Sequence, residues 1–342
     1  MPSSHYIDDS DLNSEGGHGG QDEDISRRPS DLVDPRVITK LAQRTDYHAL
    51  VYFSVHMTLI VIGGVACWYS YNSTYYWLLL VVQATLIGFL FSPLHELAHS
   101  TACKTRWLNE TLLWVVALIY VIPPYYFRYF HLGHHRYTQI PGKDTALVLP
   151  EPANIPQYLW YCLGLWFWWR NLGWAFKHAF GIVHSASSAY VPSSKRHLLH
   201  RESRIVISVY VLLIVVSIYF DFFEVLLIGW IVPRFLGEPV QRLIRVAEHV
   251  GCEESSDLTR NTRTTITNCW VNFIAWRMPY HAEHHLYPNV PFHALAELHH
   301  FTKDKVIVEP QGYCVGQWKI VRWLMHNHSD GAGVRVKHRS ML

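Results

Sequence analysis

Long runs without charge constrain the fold of this chain more than any other feature. No acidic or basic residue occurs between positions 49 and 69, or between positions 75 and 94. Each run has about the 20 residues that a helix needs to cross a bilayer. Because only a short turn separates the two runs, they are predicted to form a transmembrane hairpin.

A second pair of apolar runs follows at positions 204–220 and 222–237, with Asp221 at the turn. The predicted fold is therefore an all-α integral membrane protein with four transmembrane helices in two hairpins. A further apolar run before Pro123 and Pro124 is too short to cross and is predicted to be a re-entrant or interfacial helix.

The membrane domain is expected to span residues 47–310. Residues 1–46 are predicted to be a disordered acidic tail and a juxtamembrane segment, because the first part is rich in Asp, Glu, Ser and Gly. Residues 311–342 are predicted to be a polar C-terminal tail.

The basic residues predict the orientation in the membrane. Neither outer turn carries Lys or Arg, whereas the opposite side carries many between Lys104 and Lys143. The positive-inside rule makes that side cytosolic. Both termini and a helical cap are then expected in the cytosol, and the membrane is that of the endoplasmic reticulum if the protein is eukaryotic.

Three histidine clusters lie on this cytosolic side. Chance would produce the pattern HxxHH roughly 0.1 times in a chain with 23 histidines among 342 residues, yet it occurs twice. The clusters are HELAH (His95, His99), HLGHH (His131, His134, His135) and HAEHH (His281, His284, His285).

These spacings suit metal binding, because helical residues three and four apart lie on one face and imidazole binds transition metals as a neutral ligand. Eight imidazoles exceed the needs of one tetrahedral zinc and favour two metal ions. His249, at the end of a predicted helix, is a candidate ninth ligand. Four carboxylates could orient the imidazoles: Glu96, Asp144, Glu248 and Glu283. No catalytic residue beyond the metal ligands is predicted.

Two other classes of protein remain possible at this point. HELAH matches the HExxH motif of zinc proteases, although such a site would leave six clustered histidines unused. A non-catalytic metal-binding membrane protein would also need such clusters. The net charge of +2 and the lack of a basic stripe argue against nucleic acid as a partner.

The motifs resemble those of the membrane fatty acid desaturase superfamily over about residues 49–305. The resemblance is carried by HELAHSTACKTRWLNE, HLGHHRYTQIPGKDTAL, RVAEHVGC, TRTTITN and MPYHAEHHLYPNVPFHALAELHH. It implies that the eight clustered histidines bind two iron ions, with O2 as co-substrate. His249 matches an additional histidine of related members.

The resemblance implies an oxidoreductase that desaturates or hydroxylates an unactivated C–H position of a lipid-like substrate, with a fatty acyl desaturase as the first expectation. The HxxxH spacing of the first cluster also occurs in sphingolipid and carotenoid enzymes, so a hydroxylase or ketolase (a monooxygenase) of a sphingolipid, carotenoid or secondary metabolite is the alternative. Neither tail has the HPGG signature of a fused cytochrome b5. The expected partners are therefore membrane lipids and a separate electron donor, cytochrome b5 or ferredoxin with its reductase.

Overall fold

The computed structural model describes residues 25–26, 28–29 and 31–327, and this part of the chain is mostly helical. The predicted acidic tail up to position 24 and the last residues from position 328 lie outside it. The α-helices are α1 (Pro35–Leu41), α2 (Asp46–Ser70), α3 (Tyr75–Gly88), α4 (Phe91–Ala98), α5 (Arg106–Tyr120), α6 (Pro124–Arg136), α7 (Ile155–Leu163), α8 (Leu165–Ala179), α9 (Ser185–Ser188), α10 (Arg196–Tyr219), α11 (Phe223–Leu226), α12 (Val232–His249), α13 (Cys269–Ile274), α14 (His281–Leu286), α15 (Leu295–Thr302) and α16 (Gly312–Asn327). A π-helical turn, Leu227–Ile231, joins α11 to α12. Two short strands, β1 (Arg263–Thr265) and β2 (Ile307–Glu309), pair in parallel.

Three helical runs in the described chain are long and apolar enough to cross a membrane: Asp46–Ser70, Tyr75–Ala98 and Ser193–Tyr219. They contain the first three predicted crossings. In an 18-residue apolar stretch of each run, 56% of the residues of the second run are buried, against 17% and 22% for the other two. The run that includes α3 and α4 is thus the central helix, and the outer faces of α2 and α10 present apolar side chains, as contact with lipid requires.

Helices α5 and α6 form a bent pair, with an angle of 97° between them. Together they are apolar enough to be one broken span or a re-entrant loop. The bend follows from the sequence, since Val121 adopts a left-handed backbone with φ of 65° and Pro124 starts α6 at a position where its missing N–H costs nothing.

The fourth predicted crossing, residues 222–237, is not among the apolar runs that could span a membrane. It forms the first half of one continuous helical stretch, residues 223–249, whose second half carries Arg242, Arg245 and Glu248. By length and composition, the described chain thus has three candidate spans, or four if the bent pair counts as one, and the arrangement in two complete hairpins stays a prediction.

The 223–249 stretch packs lengthwise against the central helix through small residues. A Cβ atom on Gly237 would lie 2.3 Å from the carbonyl oxygen of Ala84, and one on Gly88 would lie 2.6 Å from the carbonyl oxygen of Gly237. Only glycine allows this approach. Ile228 packs beside Tyr76, at the other end of α3, so the stretch runs parallel to α3.

The remaining helices cover the end of the bundle where α4 lies. Helix α16 packs Ile320 and Leu324 against Tyr158 of α7 and Val246 of α12. The predicted C-terminal tail therefore begins with an ordered helix, because its apolar residues recur at helical spacing and find a partner surface.

Candidate metal centre

All nine histidines proposed from the sequence come together at the covered end of the bundle, in two groups. Within each group, one ring nitrogen from every member lies within 4.8 Å of the others. The five-histidine group is His95, His99, His131, His135 and His284. The four-histidine group is His134, His249, His281 and His285.

The two groups divide each HxxHH triplet. His131 and His135 of α6 belong to the five-histidine group, whereas His134 belongs to the other group. In α14, His281 and His285 belong to the four-histidine group and His284 crosses over. All three residues of a triplet lie on one face of the helix, but relative to the first residue the one four positions later is rotated about 40° one way and the one three positions later about 60° the other way. Each helix therefore serves both groups.

The imidazoles converge through their Nε2 atoms. In the five-histidine group, the Nε2 atom of His99 lies 2.7 Å from that of His131 and 3.1 Å from that of His284. In the four-histidine group, the Nε2 atom of His281 lies 3.0 Å from that of His249 and 3.1 Å from that of His285. Each ring nitrogen carries either one proton or one lone pair, so the Nε2 atom of His99, which meets three others within 3.2 Å, cannot be satisfied by all of them, whereas a cation can bind every lone pair.

Four of the histidines outside the spanning segments are held uncharged. Burial lowers the pKa values of His249, His281, His284 and His285 well below the usual range for histidine, and neighbouring histidines lower them further. Neutral imidazole is the form that binds a metal.

The arrangement fits metal ions by two further observations. The Nε2 atoms of His95 and His134 are buried without a hydrogen-bond partner, which is costly unless a cation takes the lone pair. Ligand atoms about 2.1 Å from one ion lie about 3 Å apart at right angles, which is close to the spacing observed here.

Two hydrogen bonds from the protein orient histidines of the four-histidine group. The Nδ1–H of His134 donates to the Oδ1 atom of Asp144 at 2.8 Å, which leaves the lone pair of Nε2 available to bind a metal ion. The Nδ1 atom of His285 lies 3.1 Å from the hydroxyl oxygen of Thr138, whose own proton goes to the carbonyl of His134. Thr138 was not predicted from the sequence, because it lies in the turn after α6 and its partner His285 is far away in the chain.

The other three candidate carboxylates differ in their contacts. Glu248 lies 3.6 Å from Nδ1 of His281 and Glu96 lies 3.9 Å from Nδ1 of His284, so neither is within hydrogen-bond distance. Burial raises the pKa of Glu248 to about 8. Glu283 contacts none of the nine histidines and accepts a hydrogen bond from Nδ1 of His299 at 2.8 Å.

Buried carboxylates also hold the helices that carry the histidines. Glu202 of α10 accepts hydrogen bonds from the backbone N–H groups of Tyr125 and Tyr126, at 2.6 and 2.7 Å, and so caps the start of α6. Glu283 accepts hydrogen bonds from Thr302 of α15 and Thr264 of β1 and so ties α14 to both. Nothing in the sequence around Glu202 predicts that it caps another helix.

Two adjoining cavities border the two groups. The larger is walled by aromatic side chains, including Phe127, whose ring stacks on His131 at 5.7 Å, and Phe91, whose ring lies 6.0 Å from that of His95. The smaller is lined by His134 and His249 of the four-histidine group. The five-histidine group thus faces an apolar wall, and the four-histidine group faces a polar cavity.

Of the comparisons with known proteins, one identifies a family. A comparison with curated proteins gives no significant match. The family described as fatty acid desaturase matches residues 72–313, a region that contains all nine histidines. Because this match covers more than two thirds of the chain, the protein belongs to the fatty acid desaturase family of membrane proteins.

Proposed function

We propose that the nine histidines bind two iron ions and that the protein is an O2-dependent oxidoreductase acting on an unactivated C–H position of a lipid-like substrate. The division of nine imidazoles, seven buried and two half-buried, into a group of five and a group of four carries this proposal. Fatty acyl desaturation is the first candidate reaction, because the chain belongs to the fatty acid desaturase family.

Iron accounts for the ligand set better than zinc. A zinc site is tetrahedral and is complete with three or four protein ligands, whereas the five-histidine group already exceeds that number. Bound iron would supply the oxidising power, drawn from O2, that removal of hydrogen from an unactivated carbon requires.

The residues of the chain supply ligation, orientation and an apolar environment. Neutral imidazoles hold the ions, Asp144 and Thr138 keep two of the rings in place, and the wall that contains Phe91 and Phe127 excludes water from the five-histidine group. Positioning of the substrate carbon then decides between loss of a second hydrogen, which gives desaturation, and oxygen insertion, which gives hydroxylation. A hydroxylase or ketolase of a sphingolipid, carotenoid or secondary metabolite would use the same site.

The geometry does not favour the zinc protease. Its general base would be Glu96, but this carboxylate is fully buried and accepts hydrogen bonds from Thr101 and the backbone N–H of Phe292. Its supposed ligands His95 and His99 lie among three further histidines.

Metal analysis of the purified protein tests the site. The expected result is about two irons per chain, since each group offers at least the four ligands of a complete site. One zinc per chain, with peptide cleavage abolished by Glu96→Gln, would overturn the proposal in favour of the protease.

Expression in a lipid-producing host, followed by untargeted lipid mass spectrometry, tests the reaction. A product lighter by two hydrogens indicates desaturation, and a product with one added oxygen indicates hydroxylation. Bound zinc or copper without O2-dependent turnover would instead indicate a non-catalytic metal-binding protein. We further propose that electrons come from a separate donor, cytochrome b5 or ferredoxin with its reductase, at the cytosolic face of the endoplasmic reticulum membrane.

A further inference from the structure

The larger cavity beside the five-histidine group has one apolar side and one cationic side. Phe91, Phe127 and their aromatic neighbours form the apolar side. The cationic side contains the guanidinium groups of Arg170, Arg242 and Arg245, together with Asn171 and Gln241.

The arginines on this side are not all paired with a carboxylate. Arg242 pairs with Glu238 at 2.8 Å, but Glu238 also pairs with Arg234, at 3.1 Å, so one carboxylate serves two cations. In the described part of the chain, Arg170 and Arg245 form no salt bridge. Arg245 nevertheless lies close enough to Glu151 and Glu248 to offset part of the rise that burial causes in the pKa of each. The guanidinium group of Arg170 lies over the rings of Phe130 and Trp174, at 5.2 and 5.4 Å.

Polar atoms at the cavity also lack partners. The Nε atom of Arg170 and the Oδ1 atom of Asn171 are buried without a hydrogen bond. Asn171 is only 2% exposed, and its side-chain amide already donates to the carbonyl of Val121 at 2.6 Å. The orphaned Nε–H of Arg170 needs an acceptor and so points to an anionic ligand, whereas the Oδ1 atom of Asn171 can only accept and needs a donor.

We propose that this cavity binds the anionic head group of an amphipathic substrate. A carboxylate or phosphate would accept hydrogen bonds from the arginines, whose planar guanidinium groups suit either oxyanion. The apolar part of the same molecule would lie against Phe91 and Phe127, beside His95 and His131. The identification of this ligand as the substrate depends on the function proposed above, whereas binding of an acid does not.

One consequence concerns selectivity for the charge of the ligand. Uncharged compounds of the same length, such as alcohols or methyl esters, should bind less tightly, because they leave the guanidinium groups without a counter-charge.

Energy transfer from the tryptophans to cis-parinaric acid, a fluorescent fatty acid, tests the proposal on the purified protein in detergent. Trp166 lines the cavity and is a nearby donor. The acid should bind at least about tenfold more tightly than its methyl ester, which corresponds to about 1.4 kcal/mol. Displacement by hexadecanoate or by hexadecyl phosphate distinguishes the two oxyanions, and hexadecanol should displace the probe poorly. Equal affinity for acid and ester would overturn the proposal.

Substitutions of arginines test whether the acid binds in this cavity. Arg170→Gln and Arg245→Gln should each weaken binding of the acid and leave binding of the ester unchanged, whereas Arg322→Gln, an exposed arginine on α16, should change neither. Loss of acid binding in Arg322→Gln, or its retention in both cavity variants, would place the acid elsewhere. Because the ligand comparison uses the unmodified protein, poor folding of a variant leaves the main test intact.

The two proposals fail separately. Preference for the acid in a protein without iron would overturn the diiron function and retain the head-group site. Iron with O2-dependent turnover, but no preference for the acid, would retain the function and overturn the head-group site.

Discussion

At the scale of single residues, the candidate metal centre depends on imidazoles that are kept neutral and correctly oriented. Burial keeps histidines such as His281 and His285 uncharged, so their lone pairs are available to metal. The orientation of each ring comes from a hydrogen bond at its second nitrogen, which Asp144 makes to His134 and Thr138 makes to His285. These contacts lead to two predictions.

His249→Ala should remove one of only four ligands from its group. We expect the iron content to fall from about two per chain toward one, with turnover lost and the protein still inserted in the membrane. Metal analysis per folded molecule measures this, and His300→Ala, which changes an exposed histidine on α15, is the matched control. Full iron content and full turnover in His249→Ala would show that eight histidines suffice.

Asp144→Ala should weaken metal binding by about 10- to 100-fold, because His134 loses the partner that orients its ring. Asp144→Asn should weaken it less, since an amide oxygen can still accept the hydrogen bond from His134. Titration of the metal-free protein with ferrous iron measures the difference, and Asp304→Asn, at an exposed position, is the control. Equal affinities in Asp144→Ala and the unmodified protein would remove Asp144 from the site.

At the scale of helices, the centre depends on where the histidine-bearing segments begin, end and touch. Glu202 caps the start of α6 from a different helix, and the close contact of Gly88 with Gly237 holds α12 against the central helix. The same contact determines where the end of α12 places His249. Small shifts in these helices would separate the two sets of ligands.

Gly237→Ala should destabilise the protein by about 1–3 kcal/mol, because the added Cβ would meet the carbonyl oxygen of Ala84 at 2.3 Å and force the helices apart. The thermal unfolding temperature in detergent measures the loss. Gly173→Ala is the matched control, since nothing lies within 4 Å of its added Cβ, and it should stabilise helix α8 by about 0.5–1 kcal/mol. An unfolding temperature in Gly237→Ala at or above that of Gly173→Ala would contradict the close contact.

At the scale of the whole molecule, both turns that connect the apolar helices lie at the end of the bundle opposite the histidines. Ile228, near the start of the 223–249 stretch, packs beside Tyr76, near the start of α3, and both helical stretches lead toward the histidines. Any membrane orientation therefore places the whole centre on one side.

The positive-inside rule predicts that this side is cytosolic. In a protein whose exposed cysteines Cys269 and Cys314 are replaced by Ser, Lys143→Cys should react with an impermeant maleimide once the plasma membrane is opened. Ser73→Cys, in the turn before α3, should react only after the internal membranes are opened as well. The reverse pattern would invert the topology.

The sequence by itself determined the ligand types, their order and their helical context. Periodicities of three and four residues, and runs without charge, are local properties, so they identify His95 and His131 as candidate ligands and three of the apolar runs as possible spans. The sequence alone did not show where the apolar region after position 222 ends, because the charged residues that follow belong to the same continuous helical stretch, residues 223–249.

Only the tertiary structure decided how the nine histidines divide. A triplet such as His131, His134 and His135 lies on one side of α6, but the groups that its members join depend on which helix packs across from each ring. The same holds for Glu202 and Thr138, whose partners Tyr125, Tyr126 and His285 lie on other elements. Spacing within a helix is set by covalent geometry and hydrogen bonding, whereas the pairing of helices is set by packing between residues far apart in sequence.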